Sequence, residues 1–463
     1  MLLTIPTYRL QDAAKTAHAY RKHFRRFGHE TPILVFDDSP VDIWKRDFPE
    51  FMQQAPTGTL YVGPVEKEQY LERLIEGVGP SYESGIRKLL RPSYGGNRNF
   101  TLLYTLGNLF MSFDDDMTPF ALESRESLTL GKNEIFSGVF RRKQEVQQKS
   151  VLREYDLVRA YLEILGREVQ QAPSSFLRGD TLQDSMSELY SNTSLSSVHE
   201  GAENTLVLQP GFVNEKARVI VAQSFKTGFA DLDAVDFAKD ILDANNHTQH
   251  ISLIYLARNH RPCVTSTNWR FETGVAAYDN REGLPPFIPT ELRTEEYIFR
   301  IFLQHYDLAA AHVDAVQGHL RATTMRRSIS YDIFNEEVVS VLREKLRLLT
   351  KDIAPTTIAF ERDGHIGSQD AARMIEHARV YYVAALERAT HETEARSKDY
   401  FFQFAEDLEH YYCGFQLEPF RSHVEGIVVK ELESIIEAME IWPSVLEAAS
   451  DIQQKGNPPM RRI

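Results

Sequence analysis

Leu109-Phe110-Met111-Ser112-Phe113-Asp114-Asp115-Asp116-Met117-Thr118 decides how this chain folds. Five uncharged residues, four of them large and apolar, run straight into three carboxylates. A short run of that kind suits a strand buried on both faces, as in a parallel sheet. The acids then mark the point where the chain leaves the sheet. Upstream, Ile33-Leu34-Val35-Phe36 ends the same way, in Asp37-Asp38-Ser39, and Leu2 to Ile5 is stopped by Pro6. Residues 11–27 carry Ala13, Ala14, Ala17, Tyr20, Phe24 and Phe27 near helical spacing, with Gly28 as a stop signal. Helical signals recur at 66–77 and, after a Gly-rich turn at Tyr94-Gly95-Gly96-Asn97, through Leu102, Leu103 and Leu106. The rhythm predicts an α/β fold: a mostly parallel sheet flanked by helices. Right-handed crossovers would set the strand ends, and their acids, along one edge.

Downstream of the triplet the pattern loosens. Residues 172–204 are rich in Ser, Asn, Asp and Glu and read as a long loop or flap. Strand signals return at 217–222 and 250–256, Pro285-Pro286-Phe287-Ile288-Pro289 is a stiff extended segment, and a helical pattern runs from about Thr294 to Gln304. From about residue 328 the stretches 335–350, 368–390, 395–413 and 421–449 carry i, i+3, i+4 apolar spacing. Two regions follow: an α/β domain over 1–325 and a helical C-terminal region over 326–463. The helical region reads first as packed scaffold, with Phe401, Phe402, Phe404, Tyr411 and Tyr412 as core. Homo-oligomerisation, acceptor binding and covering the site are its other uses. Residues 455–463 read as a mobile tail.

The bulk numbers set limits. The 463 residues are 42% hydrophobic and 25% charged, ordinary globular composition. A formal net charge of −14 argues against a nucleic-acid binder, which needs a positive face for phosphates. It leaves room for a local basic pocket. Two cysteines, Cys263 and Cys413, form neither a disulfide framework nor a close metal-ligand pair, so a reducing compartment fits best. The N-terminus lacks the basic and apolar regions of a signal peptide, and no apolar run approaches the ~20 residues that span a bilayer. The expectation is a cytoplasmic protein that does not cross a membrane.

The triplet carries the chemistry. In an extended segment Asp114 and Asp116 fall on the same side. Two hard oxygen donors there suit Mg²⁺ or Mn²⁺, and such an ion can bridge the two phosphates of a nucleotide-sugar and offset charge on the departing diphosphate. Asp114-x-Asp116-x-Thr118 also satisfies the Asp-x-Asp-x-Thr pattern of haloacid-dehalogenase-type phosphatases, with Asp114 as nucleophile and Asp116 as general acid. That motif usually opens its domain, whereas here more than a hundred residues precede it.

Four elements in order resemble GT-A fold glycosyltransferases, especially family-2-like members. They are Thr4-Ile5-Pro6-Thr7-Tyr8-Arg9, Val35-Phe36-Asp37-Asp38-Ser39, Gly95-Gly96-Asn97-Arg98-Asn99 and Phe113 to Asp116. The resemblance covers residues 1–120 and implies a Rossmann-like sheet and a UDP- or GDP-sugar donor. It further implies that Pro6, Thr7, Tyr8 and Arg9 line the nucleotide pocket and that Asp37 or Asp38 reads the base. Arg98 would contact the donor near base or phosphate. Asp114, with Asp115 beside it, would touch ribose or donor sugar, and Asp116 and Asp114 would hold the metal.

The second half carries fainter parallels. Glu295 and Glu296 resemble the acidic pair at a helix start that faces the acceptor, where a carboxylate takes the acceptor hydroxyl's proton; acids also favour a first helical turn through the dipole alone. Such a base implies inversion at the anomeric carbon. Several GT-A families, retaining ones among them, use a late histidine as metal ligand, which points to His319, with His312 as the weaker candidate. Trp269 and Arg270 could line the acceptor pocket. The resulting expectation is a metal-dependent glycosyltransferase moving a sugar to a hydroxyl acceptor. The alternatives are the phosphatase, or a non-catalytic scaffold whose helices bind a partner.

Overall fold

The computed structural model describes residues 1–184, 201, 203–229, 253–266, 272–290, 292, 295–319, 329–351, 365–392, 395–456 and 458–463. Its strands are β1 Leu2–Thr7, β2 Ile33–Asp37, β3 Leu60–Val62, β4 Leu109–Phe113, β5 Phe120–Ser124, β6 Glu134–Arg142, β7 Ser150–Glu154 and β8 Leu177–Gly179. They continue as β9 Thr181–Asp184, β10 Glu203–Gln209, β11 Val219–Phe229, β12 Leu253–His260, β13 Cys263–Ser266, β14 Val275–Asp279, β15 Ala309–His319 and β16 Arg461–Arg462. The helices are α1 Leu10–Arg26, α2 Val41–Gln54, α3 Pro64–Val78, α4 Glu83–Leu89, α5 Tyr94–Thr105, α6 Lys143–Lys149, α7 Leu157–Leu162 and α8 Glu295–His305. The chain closes with α9 Ile329–Lys351, α10 Ser368–His391, α11 Ala395–Tyr411 and α12 Leu417–Gln454.

The first 113 residues fold as their apolar runs dictate. All of β2 is buried, and β1 and β4 are buried over most of their length. β1 pairs in parallel with β2 and β4, and β2 with β3. α1 and α5 pack against β1 and β2. Gly28, at φ 79°, takes the left-handed conformation just past α1, which a glycine adopts at least cost.

One expectation fails at Gly95-Gly96. These residues are no turn but the first turn of α5, capped by the Ser93 hydroxyl, which accepts from the Gly96 amide at 2.9 Å. A side chain at Gly96 would run into the Arg91 carbonyl.

The mostly parallel sheet is also corrected. All strands belong to one mixed sheet whose main path runs β16-β3-β2-β1-β4-β14-β11-β12-β6-β10-β9, and antiparallel pairings predominate. Parallel pairing joins the N-terminal strands β1–β4 and recurs where β11 meets β15, β12 meets β5 and β13 meets β8. Beyond β4, β14 joins antiparallel, opposing Val275 to Phe113, and β11 joins β14 antiparallel.

Within 172–204, Leu177–Gly179 and Thr181–Asp184 are strands rather than loop, and 185–200 lies outside the described residues. The strand signals at 217–222 and 250–256 become the longer β11 and β12.

The helical region is no separate body in packing terms. One hydrophobic core runs from Leu3 to Ala449. α12 lies against α3, α4 and α5. Trp442 Nε1 donates to the Leu284 carbonyl at 2.7 Å, and Gln453 donates to that of Leu103 at 2.6 Å. Phe401, Phe404 and Tyr412 are core as expected, while Phe402 is exposed. The mobile tail is corrected too: Arg461–Arg462 pair antiparallel with β3, and Arg461 meets Glu66. Among the described residues no helix is long and apolar enough to cross a membrane.

Candidate functional site

Mixed direction does not scatter the strand ends. β1, β2 and β4 finish at one edge of the sheet. Antiparallel β14 starts there, and the second halves of β11 and β15 reach it, with Gly228 opposite His319. A cavity of about 650 Å³ opens along that edge. Read across the sheet, its wall carries Asp38 after β2, Pro6 to Arg9 at the end of β1, Asp114 to Met117 after β4, Gly274 and Val275 at β14, Lys226 on β11 and His319 on β15. α5 contributes Tyr94, Asn97 and Arg98, and α8 contributes Glu295 and Glu296.

The triplet does not continue the strand. The Met117 amide donates to the Asp114 carbonyl at 3.1 Å, so the chain turns through the acids. Each carboxylate therefore faces its own partners, and Asp114 and Asp116 do not share a side in the way an extended segment would give. Asp115 points inward. The Thr7 hydroxyl donates to it at 2.5 Å and Arg9 grips it with Nε and Nη2. Burial pushes its carboxyl up to about 7 against the charge of Arg9. Asp116 receives Arg9 Nη2 at 3.0 Å on one oxygen and lies 3.3 Å from His319 Nε2 on the other. Burial alone would raise it, yet the hydrogen bonds and charges of His319 and Arg9 hold it well below the usual carboxylate range. Asp114, the most open of the three, lies 3.3 Å from Arg98 Nη2. Gly274 lies close beside it, and a Cβ there would displace the Asp114 carboxylate.

Arg98 lines the cavity between Asp114 and Glu296. It is 6% exposed, lies 3.9 Å from Glu296 as well as near Asp114, and has no hydrogen-bond partner for Nε or Nη1. Glu296 accepts from the Thr273 amide at 3.1 Å and from the Thr273 hydroxyl. Burial raises its pKa, opposed by Arg98. At the β2 end, Lys67 links Asp38 to Asn97, and the Ser93 amide donates to the second Asp38 oxygen at 3.1 Å. Exposed Tyr8 and Tyr94 meet edge to face, with centroids 6.5 Å apart.

Of the residues singled out from sequence, Pro6, Thr7, Tyr8, Arg9, Asp38, Arg98, Asp114, Asp115, Asp116, Glu295, Glu296 and His319 meet in this one cavity. Asp37 does not. It is fully buried behind the wall, accepting from the Tyr61 hydroxyl at 2.7 Å and the Ser39 amide at 2.8 Å. His312 does not either: it stacks on Phe225 at 4.4 Å and faces Gln223 at 2.7 Å. Trp269, Arg270 and Thr294 lie outside the described residues.

Sequence reading missed Lys226, Glu272, Tyr94 and Lys67. Lys226 left a trace, being a lone charge in the strand-like run from Val219 to Phe229. The other three sit among ordinary polar neighbours and left none.

A divalent ion suits this wall chemically. Carboxylates are its preferred donors, and an imidazole tilts the choice towards Mn²⁺. Asp116 is kept ionised, and its 3.3 Å approach to His319 is near the ~3 Å between neighbouring ligands on an ion with bonds of ~2.1 Å. Among the described residues, however, no group of three or more His, Cys, Asp or Glu is assembled around one point. Asp114 faces Arg98 instead.

A scan against protein-family models finds no match to this chain, and a search of curated proteins finds none similar to it.

Proposed function

We propose that the chain is a divalent-metal-dependent glycosyltransferase that takes a sugar from a nucleotide diphosphate donor and passes it to an acceptor hydroxyl. One observation carries this reading: four sequence stretches that resemble the GT-A pattern, together with Glu295, Glu296 and His319, line one cavity at one sheet edge. Asp116 and His319 would hold Mn²⁺ or Mg²⁺, with Asp114 joining them only on leaving Arg98, and that ion would supply neutralisation of charge on the leaving diphosphate. Arg9 adds a fixed positive charge while locking Asp115 and orienting Asp116. Tyr8 and Tyr94 offer ring faces and edges to a base. Glu296, recessed and with a raised pKa, takes the acceptor proton more readily than a solvated carboxylate. Arg98 holds Asp114 and Glu296 apart and balances both.

The test is a thermal-shift screen of nucleoside diphosphates with and without Mn²⁺. A ligand at about 100 times its Kd stabilises by ~2.7 kcal/mol. One base is expected to shift the transition, and Mn²⁺ to enlarge the shift. No response to any nucleoside diphosphate counts against the proposal. Phosphate release from a phosphomonoester without nucleotide would favour the phosphatase, and binding with neither metal dependence nor turnover would favour the scaffold.

A further inference from the structure

The strand order gives the cavity two ends. From β2 through β1, β4 and β14 to β11 there are four strand spacings, about 19 Å at ~4.8 Å each. Tyr8 and Asp38 occupy the first end and the triplet the middle. Beyond the triplet, the floor is Lys226 from β11 and Glu272 just ahead of β14.

We infer that Lys226 and Glu272 form an acceptor subsite that selects an acceptor which is itself a sugar, binding neighbouring ring hydroxyls. This rests on the transferase reading above. Both side chains are largely withdrawn from solvent, at 24% and 20% exposure, and Lys226 Nζ lies 3.6 Å from Glu272 Oε2. The two charges form an ion pair on the cavity floor. A hydroxyl at the pair accepts from the ammonium and donates to the carboxylate at once, and vicinal hydroxyls match a donor set beside an acceptor.

The backbone that carries this carboxylate is also fixed. The Glu272 amide donates to Gln223 Oε1 at 3.1 Å, and the next residue, Thr273, is tied to Glu296. Other acceptor classes fit worse. Among the described residues at this end, Glu272, Glu295 and Glu296 outnumber Lys226, which disfavours an anionic acceptor. Among the described residues at this end, Met117 and Val275 are the apolar surface offered to an alkyl chain.

The experiment uses the full chain, with the hexose derivative of whichever nucleoside diphosphate shifts its melting. It measures nucleoside diphosphate release with methyl glucoside, methyl galactoside and methyl mannoside, and with n-octanol and N-acetylserinamide as contrasts. At least one glycoside is expected to accelerate release over hydrolysis. Lys226→Met and Glu272→Gln should each raise that glycoside's KM by about 10-fold or more, the worth of one charge-assisted hydrogen bond. Lys226→Arg should recover part of the loss. Nucleoside diphosphate binding should not change in any of the three.

Acceleration by octanol or the serine compound with none by a glycoside overturns the assignment, as does weakened nucleoside diphosphate binding in the variants. Donor hydrolysis that no glycoside accelerates overturns the acceptor class alone. A wild-type chain that neither binds a nucleoside diphosphate nor hydrolyses a donor overturns the transferase reading with it.

Discussion

β15 contributes to two charged groups that each hold a histidine, through His319 and through Asp314 five residues before it, and they lie in opposite kinds of surroundings. His319 touches Asp116 on the wall of the cavity, where Arg9 and the three aspartates crowd a space open to solvent. The other group centres on Asp314. Its Oδ1 lies 2.9 Å from His260 Nδ1, while His260 Nε2 lies 3.2 Å from Glu123. The Tyr155 hydroxyl donates to Glu123 at 2.6 Å, and the Arg153 guanidinium covers the Tyr155 ring at 4.0 Å. Both groups combine histidine, carboxylates and arginine. In the second, each nitrogen of His260 already faces a carboxylate and an arginine covers the neighbouring ring, so the group ties β5, β7, β12 and β15 together. The difference teaches that a charged cluster becomes a site when a partner must come from outside, not because charges are numerous.

The largest expected effect belongs to the cavity. If the transferase reading holds, Asp116→Ala should cut turnover roughly 10²–10³-fold, a ~3–4 kcal/mol loss of transition-state stabilisation, and should remove the metal-dependent part of the nucleotide thermal shift. An unchanged metal-dependent shift would break the distinction between the two groups. The counterpart is His260→Gln. Breaking a buried ion pair costs ~3–5 kcal/mol, and the half-exposed Asp314 lowers this to about 2–3 kcal/mol of folding stability, measurable by urea denaturation. Nucleotide binding should survive. Its loss would mean the second cluster serves the site after all.

Titration sharpens the contrast further, because the two groups are shifted in opposite senses. Burial works to lower the pKa of His260, but hydrogen bonds from the imidazole to the Asp314 and Glu123 carboxylates raise it above its ordinary 6.5. The proton-bound folded state is favoured, so this stabilisation is fully present below about pH 6.5 and is lost as pH rises through the folded value. The stability gap between wild type and His260→Gln should therefore narrow from pH 6 to pH 9. Asp116 is depressed below 3.8, so its contribution is present above that value and lost only as pH falls through the folded one. The gap between wild type and Asp116→Asn should change over the same range only through Asp115, whose carboxyl, pushed up to about 7 by burial and in part by Asp116, titrates there. Chemical denaturation at several pH values checks both slopes.

How much of this was legible follows the reach of each signal. β1, β2 and β4 are short apolar runs ending in polar residues, and that local pattern fixes both the strands and the edge where Arg9, Asp38 and Asp114 emerge. Their convergence with Glu296 and His319, some two hundred residues on, came only through resemblance. Periodicity says nothing about which distant strands pair. The sheet's mixed direction was hidden for the same reason, since β14 and β11 look alike in sequence whichever way they run. Asp37 and Asp38 read as interchangeable, yet strand alternation sends Asp37 to the Tyr61 hydroxyl and Asp38 to the cavity. The triplet's turn was missed because three identical residues carry no cue to where extension stops.

The tail was misread because Pro458, Pro459 and the short polar run before them look like a chain end with nothing to hold it. What holds it is a third charged contact, between Arg461 and Glu66, with the edge of β3 beside it. The Ile463 amide donates to the Thr59 carbonyl at 2.9 Å, and the Gly58 amide donates to the Ile463 carbonyl at 2.6 Å. This pair differs from both histidine groups in being half in solvent on the arginine side. Glu66 would also keep the Gly63 amide, which donates to it at 3.1 Å, if the arginine were lost. Arg461→Ala therefore leaves no orphaned buried charge and should cost only about 0.5–1 kcal/mol by urea denaturation, with nucleotide binding intact. A loss of 3 kcal/mol or more would show that the pair behaves as a buried one. Counting outside partners would then be the wrong way to rank the charged groups of this molecule.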